Sequence, residues 1–321
     1  MRLTQTCPST ETVDTTVPVL IGATGVGKTA VSLALAEHLG AEIISVDSRQ
    51  IYREISVGTA KPEAQERARV PHHFLDERSL RESVSAGQFA QEALTRISEI
   101  HARGRAVVAV GGSTLYLEAL VHGIAETPEP DPAMRDRLNE QASTPEGRAA
   151  LHLHLTNVDP VTSASIDRSN GQRLARALEV FLLTGKPFSS FAPQARDLPY
   201  DFRVFVLDRP REELYARIDE RVDVMVETGL FEEVKALLDA GFSPDLYALR
   251  TIGYREVIEH LSGKPDRERA ISLIKRNSRR YAKRQLTWFR RYPDYEWMDI
   301  SGQSPGETAT NIADDISSRS S

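Results

Sequence analysis

Short apolar runs and helical periodicity alternate in the first part of the chain. Val17–Ile21 is a continuous apolar run that predicts a buried strand, and Ala41–Val46 predicts a second one. Between them, apolar residues recur at helical spacing over Ala30–Leu39, and Gly40 follows where a helix commonly ends. A strand, a helix and a strand within about 30 residues form a βαβ unit. The pattern therefore predicts a parallel sheet covered by helices.

Three more apolar segments predict strands, and a proline-rich segment divides the chain. The strands are predicted at Ala106–Val110, Arg203–Leu207 and Tyr295–Ile300, with an amphipathic helix at Gln88–Arg103. Residues 127–132 contain three prolines, and helical patterns dominate from there to about residue 199. We predict residues 1–16 as a disordered tail, residues 17–122 and 200–300 as a discontinuous α/β core, residues 123–199 as an all-helical insertion and residues 301–321 as a frayed C-terminal tail.

The composition is that of an ordinary globular protein. The 321 residues are 40% hydrophobic and 27% charged, which excludes collagen-like, coiled-coil and wholly disordered chains. No apolar run approaches the roughly 20 residues that cross a bilayer, and no secretory signal is expected. Cys7 is the single cysteine, which excludes an intramolecular disulfide and a cysteine-based zinc site. We expect a reducing, cytoplasmic location and no membrane partner.

Positive charge is concentrated near the C-terminus, although the whole chain is acidic. The net charge is −6, yet residues 264–291 hold eleven Lys or Arg against two acids, so this window carries +9 and the remainder −15. A simple solvated surface is the alternative, but the near absence of acids favours a polyanion such as RNA. Two adjoining rows of cations predict one broad basic helix face: Lys275, Arg279 and Lys283, and Arg276, Arg280 and Arg284.

A glycine-rich segment lies between the first predicted strand and the first predicted helix. Residues 22–29 fit the phosphate-loop pattern G-x-x-x-x-G-K-[ST], in which backbone N–H groups and a helix N-terminus surround phosphate oxygens. The lysine adds positive charge, and the hydroxyl residue ligates Mg²⁺. A turn without a ligand is the alternative, and the flanking strand and helix disfavour it. The candidate ligand-binding residues are Gly22, Ala23, Thr24, Gly25, Val26, Gly27, Lys28 and Thr29, with Thr29 also as the metal ligand.

The acidic residue near this loop does not follow the strand expected for an ATPase. A P-loop ATPase usually ends a further apolar strand in an acid that helps to hold Mg²⁺, whereas Ala106–Val110 is followed by Gly-Gly-Ser. Asp47 instead follows the second predicted strand, and the carboxyl ends of strands in such sheets face the ligand. Asp47 is therefore a candidate general base or metal ligand, with a turn-capping role as the alternative.

Several uncommon motifs follow the phosphate loop in a fixed order. They are Ser-Val-Asp-Ser-Arg-Gln-Ile-Tyr at 45–52, Gly-Thr-Ala-Lys-Pro at 58–62, His-His-Phe-Leu-Asp at 72–76, Gly-Gly-Ser-Thr-Leu-Tyr at 111–116, Gln-Arg-Leu-Ala-Arg-Ala-Leu at 172–178 and Gly-Tyr-Arg at 253–255. Over about residues 17–300 the chain resembles the bacterial tRNA dimethylallyltransferase (tRNA isopentenyltransferase) family. It departs from the family pattern at Ser113, where Thr is usual, and in the phosphate loop, where Gly-Pro-Thr-Ala-Ser-Gly is common.

The resemblance implies a P-loop NTPase-like α/β fold and a defined reaction. A dimethylallyl group would move from dimethylallyl diphosphate to N6 of the adenosine just 3′ of the tRNA anticodon, position 37, with release of diphosphate and with help from Mg²⁺. The phosphate loop would then hold a diphosphate leaving group, which accounts for the missing ATPase acid. The implied partners are the tRNA anticodon stem-loop and dimethylallyl diphosphate, and we expect a monomer.

The resemblance also implies roles for individual residues. Asp47 would accept the hydrogen of N6, and Arg221 would close over the diphosphate. Ser113 and Thr114 follow a predicted strand end and are candidates to hydrogen-bond the flipped adenine or its sugar, with a helix N-cap role as the alternative. Arg217 and Arg221 lie four residues apart on one predicted helix face, where pairing with Asp219, Glu220 or Glu213 is the alternative. The implied tRNA contacts are Asp47, Ser48, Arg49, Gln50, Ser113, Arg135, Gln172, Arg173, Arg176, Arg250, Gly253, Tyr254 and Arg255, together with the basic face Lys275, Arg276, Arg279, Arg280, Lys283 and Arg284.

Other functions fit parts of the pattern. A small-molecule or nucleotide kinase would share the phosphate loop, Asp47 and the two-arginine helix, but it would need neither the basic face nor the helical insertion. A transferase that prenylates free adenine nucleotides and a P-loop switch protein that binds RNA are further alternatives. His72-His73 predicts structural hydrogen bonds rather than a metal site, because adjacent histidines do not comfortably face one ion.

Overall fold

The computed structural model describes residues 15–125, 127–191, 198 and 200–319. Its strands are β1 (Thr16–Gly22), β2 (Glu42–Val46), β3 (His72–His73), β4 (Val107–Gly111), β5 (Asp201–Asp208) and β6 (Glu296–Asp299). Its helices are α1 (Lys28–Leu39), α2 (Ala64–Arg69), α3 (Ala86–Ala102), α4 (Thr114–Val121), α5 (Pro132–Ala142), α6 (Pro145–Val158), α7 (Pro160–Ser165), α8 (Gly171–Thr184), α9 (Arg211–Glu227), α10 (Leu230–Asp239), α11 (Tyr254–Leu261), α12 (Arg267–Phe289) and α13 (Pro305–Arg319). The tail predicted at residues 1–16 lies outside the described residues except for Thr15 and Thr16, and β1 begins at Thr16.

The six strands form one sheet in the order β3-β2-β4-β1-β5-β6, and every pair is parallel. Six of the seven residues of β1 are buried, as expected for a central strand with helices on both faces. Gly111 at the end of β4 lies opposite both Ile21 in β1 and Val46 in β2. The segments that follow these three strands therefore leave the same edge of the sheet. The predicted α/β fold with a P-loop NTPase-like parallel sheet is confirmed.

The C-terminal segment is helical, so the prediction of a frayed tail over residues 301–321 is wrong for α13. Ser304 and Glu307 cap the start of α13 reciprocally: the Glu307 side chain accepts from the Ser304 N–H (2.7 Å), and the Ser304 hydroxyl accepts from the Glu307 N–H (3.2 Å). The buried residues of this helix recur at helical spacing and join the core cluster that includes α1. They are Ala309, Ile312, Ala313 and Ile316. Burial of this apolar stripe is the reason that the segment folds.

The short edge strand β3 was not predicted from the sequence. His73 Nε2 lies 2.7 Å from the buried Glu42 carboxylate of β2, and Arg103 Nη2 donates to the same carboxylate at 2.9 Å. His72 Nδ1 lies 2.7 Å from the Val70 carbonyl oxygen. Burial opposes the charge of Glu42, but these hydrogen bonds outweigh it and lower its pKa. The predicted structural role of the two histidines is confirmed.

Residues His122–Arg196 form a second compact unit. Its described part contains helices α5 to α8, and residues 127–191 include no strand. Leucines from three helices make its core: Leu138, Leu151, Leu155, Leu174 and Leu178. In the described part of the whole chain, no helix has both the length and the apolar character needed to cross a membrane.

Candidate active site

The phosphate loop connects β1 to α1 and packs directly on α9. Gly25 has φ +83°, a left-handed conformation that favours glycine, and a Cβ there would lie 2.9 Å from the Ile218 side chain. Arg217 Nε donates to the Gly25 carbonyl oxygen (3.0 Å), and Arg209 Nε donates to the Val26 carbonyl oxygen (2.9 Å). The loop is thus held in a closely packed form by side chains of the α9 region.

Lys28 lies inside the loop with its ammonium group turned toward loop carbonyls. Its Nζ donates to the carbonyl oxygens of Gly22 (2.9 Å) and Ala23 (3.0 Å). Burial and, to a smaller extent, the positive charge of Arg221 lower the pKa of Lys28 to about 7, while the Asp47 carboxylate opposes both effects. Because the positive charges of Lys28 and Arg221 repel each other, an anion bound next to both would be stabilised.

Arg221, one turn after Arg217 on α9, lines the cavity next to the loop. Burial lowers its pKa, and the Asp47 carboxylate counteracts this effect. Two acids considered as alternative partners are engaged elsewhere: Asp219 pairs with Arg279, and Glu213 pairs with Arg209. Arg221 is therefore available to the cavity.

Asp47 begins the turn that follows β2. Its Oδ1 accepts from the backbone N–H groups of Arg49 (2.8 Å) and Gln50 (3.3 Å), so the turn-capping role occurs and uses one carboxylate oxygen. The Ser113 hydroxyl, after β4, accepts from the Ser48 N–H at 2.9 Å and donates to the Ser48 hydroxyl at 3.2 Å. Ser113 thereby ties the β4 end to the Asp47 turn.

These groups open into one cavity of about 340 Å³ in the unit that contains the sheet. Thr24 of the loop, Asp47 and Arg221 line it, so the cavity presents a cation and a carboxylate close to the phosphate loop. Its other polar lining residues are Ser48, Arg49, Thr59, Ser113, Arg250, Thr251, Arg255, Ser278, Tyr281 and Arg284. An apolar wall is formed by Ile218, Val222, Met225, Ile252 and Ile274. The arrangement suits a substrate with an anionic end, an apolar group and a hydrogen-bonding acceptor.

Comparisons with known proteins match this chain to one family. The family model described as IPP transferase matches residues 50–292. A tRNA dimethylallyltransferase from Salinibacter ruber is 50% identical over 287 residues, which cover 88% of each chain. This chain belongs to the tRNA dimethylallyltransferase family. A further relative of that name, from Geobacter metallireducens, is 44% identical over 89% of this chain and 93% of its own.

Solved structures of similar proteins support membership of the tRNA dimethylallyltransferase family. The full-length tRNA isopentenylpyrophosphate transferase of Bacillus halodurans matches with a TM-score of 0.70 and 39% identity, over 96% of this chain and 98% of that chain. A eukaryotic dimethylallyltransferase captured acting on tRNA matches with a TM-score of 0.80 and 28% identity, over 95% of this chain and 80% of that chain.

In this member of the tRNA dimethylallyltransferase family, two predicted tRNA contacts are buried. Tyr254 is fully buried, and its hydroxyl donates to Glu233 (2.5 Å) and accepts from the Gly58 N–H (3.1 Å). A Cβ on Gly58 would lie 2.4 Å from the Tyr254 ring, so the two residues are in close contact. Gly253 is also buried. Neither residue is therefore exposed to RNA in this structure, and Tyr254 supports the segment at Gly58, so a direct tRNA contact of Gly253 and Tyr254 stays a prediction.

Gln50 and Arg49 of the same turn have different surroundings. The Gln50 amide accepts from the Ser45 hydroxyl (3.1 Å) and donates to the Thr59 carbonyl oxygen (3.2 Å), which gives it a positioning role inside the protein. Arg49 lines the cavity, and its Nε donates to the hydroxyl of Thr251, another lining residue. Arg250 and Arg255, also in the cavity lining, are more than 40% exposed.

Helix α12 presents part of the predicted basic face. Lys275 pairs with Asp223 and Arg279 pairs with Asp219, both acids of α9. The expectation that the face is nearly free of acids is wrong for this row, because the partners come from a helix distant in sequence. The cations of α12 that are exposed within the predicted face are Arg276, Arg280, Lys283 and Arg284.

In the helical unit, Arg135 and Arg176 bind one buried carboxylate. Glu179 is 0% exposed and accepts from Arg135 Nε (2.9 Å) and from Arg176 Nη1 (2.7 Å). These predicted tRNA contacts are thus fixed in position by Glu179 and remain partly exposed, at 30% and 25%. Gln172 and Arg173 are exposed on α8 of the same unit.

Gln285 of α12 is a site residue that the sequence analysis missed. Its Oε1 accepts from the Thr24 N–H of the phosphate loop (3.0 Å), and its Nε2 donates to the Gly112 carbonyl oxygen after β4 (2.8 Å). The side chain is 2% exposed, and a Cβ on Gly112 would lie 2.6 Å from Nε2. A polar residue between Ala282 and Phe289 on the buried stripe of α12 was the available signal, because buried amides need partners.

Proposed function

We infer that the protein transfers a dimethylallyl group from dimethylallyl diphosphate to N6 of adenosine 37 in tRNA, giving N6-(dimethylallyl)adenosine and diphosphate. The observation that carries the inference is the convergence of the phosphate loop, Asp47 and Arg221 on one cavity with an apolar wall. The relatives and structural neighbours, named as tRNA dimethylallyltransferases or isopentenyltransferases, support it. The kinase alternative is not favoured by these comparisons.

At the diphosphate end, the proposed role of the site is to stabilise negative charge. The C1–O bond of the donor breaks, and its electron pair leaves with the diphosphate. Lys28, Arg221 and the loop amides oppose the charge that develops there, and pre-placed groups of this kind contribute strongly in a water-poor site. The apolar wall formed by Ile218, Val222 and Met225 would hold the hydrocarbon chain.

Mg²⁺ fits the proposed donor site through a small set of ligands. Thr29 follows Lys28 and supplies the hydroxyl used in phosphate loops, and Mg²⁺ commonly takes one or two protein ligands together with substrate phosphates and water. In the described part of the chain, no three His, Cys, Asp or Glu side chains form a metal-binding group, so the diphosphate itself would supply most ligands. When bound, Mg²⁺ would neutralise charge on the leaving diphosphate.

At the acceptor end, Asp47 is the proposed general base. The lone pair of N6 is delocalised into the adenine ring, so N6 is a weak nucleophile. A carboxylate that accepts a hydrogen bond from N6 raises the electron density on N6, and it takes the proton as N6 bonds to C1 of the donor. Asp47 has one oxygen engaged by the turn, which fixes its orientation, and lines the cavity. Ser48 and Ser113, joined to each other, are proposed to hold the flipped adenine beside it.

The proposed RNA surface consists of cations of the cavity lining and of α12. The exposed cations Arg250, Arg255, Arg276, Arg280, Lys283 and Arg284 and the half-buried Arg49 would contact phosphates, and Lys275 and Arg279 would contribute charge through their partly screened pairs. Arg135, Gln172, Arg173 and Arg176 are proposed contacts on the helical unit. The cytoplasmic location and the monomeric state stay predictions.

The test is transfer of label from dimethylallyl diphosphate with Mg²⁺ and tRNA that lacks the modification. We expect label on tRNA at position 37, none on AMP and no consumption of ATP. Label on AMP would overturn the RNA acceptor, and ATP consumption with phosphoryl transfer would favour the kinase. Absence of any transfer to tRNA by the folded protein would reject the proposed function.

Replacing Gln285 with Glu is expected to raise KM for dimethylallyl diphosphate by about tenfold or more. A change of this size corresponds to the usual free-energy cost of a buried polar group that loses its hydrogen-bond partner. The variant loses the donor to the Gly112 carbonyl and adds a carboxylate beside the diphosphate position, while KM for tRNA should change by less than about twofold. Thr287→Ala, on the exposed side of the same helix, is the matched control. An equal rise in both KM values would contradict a role at the phosphate loop.

A further inference from the structure

Tyr247 is an exposed aromatic residue beside the cavity. It lies in the short 3-10 helix Tyr247–Arg250 and is 65% exposed. Among the described residues, Trp297 is the other large aromatic side chain in the exposed class, at 37%, and it does not line the cavity. An exposed tyrosine at a binding site needs an explanation, because burial of the ring is normally favourable.

One face of the Tyr247 ring carries the guanidinium of Arg49, 4.5 Å from the ring centroid. Arg49 is itself held, because its Nε donates to the Thr251 hydroxyl and its Nη1 donates to the Ser48 carbonyl oxygen at 3.2 Å. With one face covered and the residue 65% exposed, the ring presents its other face to solvent. The arginine and the tyrosine form the first two layers of a stack.

The backbone that presents Tyr247 is firmly anchored. Ala248 and Leu249, which follow it in the same turn, are 4% and 1% exposed. The Leu249 N–H donates to the Leu246 carbonyl oxygen at 2.9 Å. A rigid aromatic on a fixed turn loses little conformational entropy when a partner stacks on it.

The charges around Tyr247 favour a nucleic acid over an apolar protein partner. Arg250, three residues on, is 57% exposed and lines the cavity, and its contact with Asp245 is long, at 3.7 Å. Arg284, exposed on α12, lines the same cavity. Single-stranded RNA is recognised by aromatic rings and arginine planes that stack on unpaired bases, with cations on the phosphates.

We propose that Tyr247 is a stacking platform for an unpaired base of the RNA substrate, next to the base that enters the cavity. The ligand class is a nucleobase in a single-stranded loop, stacked on the face of Tyr247 that Arg49 leaves open. This subsite deepens the proposed function and depends on it. Base stacking is insensitive to the Tyr247 hydroxyl, so the ring and not the hydroxyl carries the interaction.

The test measures binding of an anticodon stem-loop RNA to wild type, Tyr247→Ala and Tyr247→Phe at one fixed salt concentration. We expect Kd to rise about tenfold in Tyr247→Ala, as is typical for loss of one base–aromatic stack, and to change by less than about twofold in Tyr247→Phe. A series of RNAs, each abasic at one unpaired loop position other than the acceptor, then locates the base. One abasic RNA should bind wild type weakly and show no further loss with Tyr247→Ala.

The urea unfolding midpoint, KM for dimethylallyl diphosphate and label transfer by wild type show whether the fold and the proposed function are intact, and RNA binding tests the stacking subsite itself. The urea unfolding midpoint and KM for dimethylallyl diphosphate should be the same in all three proteins, because Tyr247 is exposed and does not line the cavity. Unchanged RNA binding in Tyr247→Ala, which a docking site for another protein would give, overturns the stacking subsite. Equal loss with every abasic RNA in both proteins overturns it as well. Failure of the proposed function would appear instead as absence of label transfer by wild type.

Discussion

Replacing Asp47 with Asn is expected to lower kcat for dimethylallyl transfer by about 10²- to 10⁴-fold, the usual contribution of a general base. The carbonyl oxygen of the introduced amide can still accept from the N–H groups of Arg49 and Gln50, so the turn after β2 is preserved. What is lost is the group that accepts the N6 proton. Single-turnover transfer to tRNA with saturating donor measures this step directly.

Donor binding provides the internal control for Asp47→Asn. The Asp47 carboxylate stabilises the charged forms of Lys28 and Arg221 but would repel a diphosphate, so its removal should leave the Kd for dimethylallyl diphosphate unchanged or slightly lower. Asp47→Ala, which also removes the turn cap, should add a loss of stability that the Asn variant avoids. If Asp47→Asn kept more than a tenth of wild-type kcat, Asp47 would be a capping residue and the base would lie elsewhere.

The parallel sheet, and the position of Asp47 at the carboxyl end of a strand, were predictable because they depend on local sequence pattern. Continuous apolar runs such as Val17–Ile21 are typical of strands with helices on both faces, and the loop that follows carries its own motif. β3 has two residues, too few for any periodicity. α13 did carry a signal, since Ile312 and Ile316 are four residues apart, but its polar surroundings suggested fraying.

The details of the site depended on contacts between distant residues, which spacing does not encode. Gln285 reaches Thr24 across 261 positions, and Glu233 accepts from the Gly58 turn across 175. The acids that pair with Lys275 and Arg279 belong to α9. The family resemblance selected motif residues such as Tyr254 without distinguishing those that touch a substrate from those that hold the site together.

Replacing Lys28 with Met is expected to weaken binding of dimethylallyl diphosphate and to lower kcat/KM by more than about 10²-fold, the scale seen when one pre-placed stabilising group is removed. Methionine keeps the length of the side chain and removes its charge. Titration of the donor in the presence of Mg²⁺, followed by multiple-turnover transfer, measures both effects. Binding of tRNA alone should be unchanged, because Lys28 lies inside the loop and donates to the carbonyl oxygens of Gly22 and Ala23.

The same substitution should leave stability at pH 7 equal or higher, which separates it from a folding defect. The pKa of Lys28 is about 7 in the folded protein and near 10.5 when unfolded, so folding expels a proton between these values. The stability of the wild-type protein, as far as Lys28 determines it, is therefore highest above pH 10.5. It falls as the pH decreases from 10.5, and the loss is complete once the pH has fallen through 7. The free energy of unfolding of Lys28→Met should exceed that of wild type by the largest amount near pH 7, and the difference should shrink at about pH 9. Urea unfolding without Mg²⁺ measures both values. A variant that lost stability at pH 7 by more than it did at the higher pH would show that Lys28 is held as a stable cation by the loop, and that its charge supports the fold as well as the diphosphate.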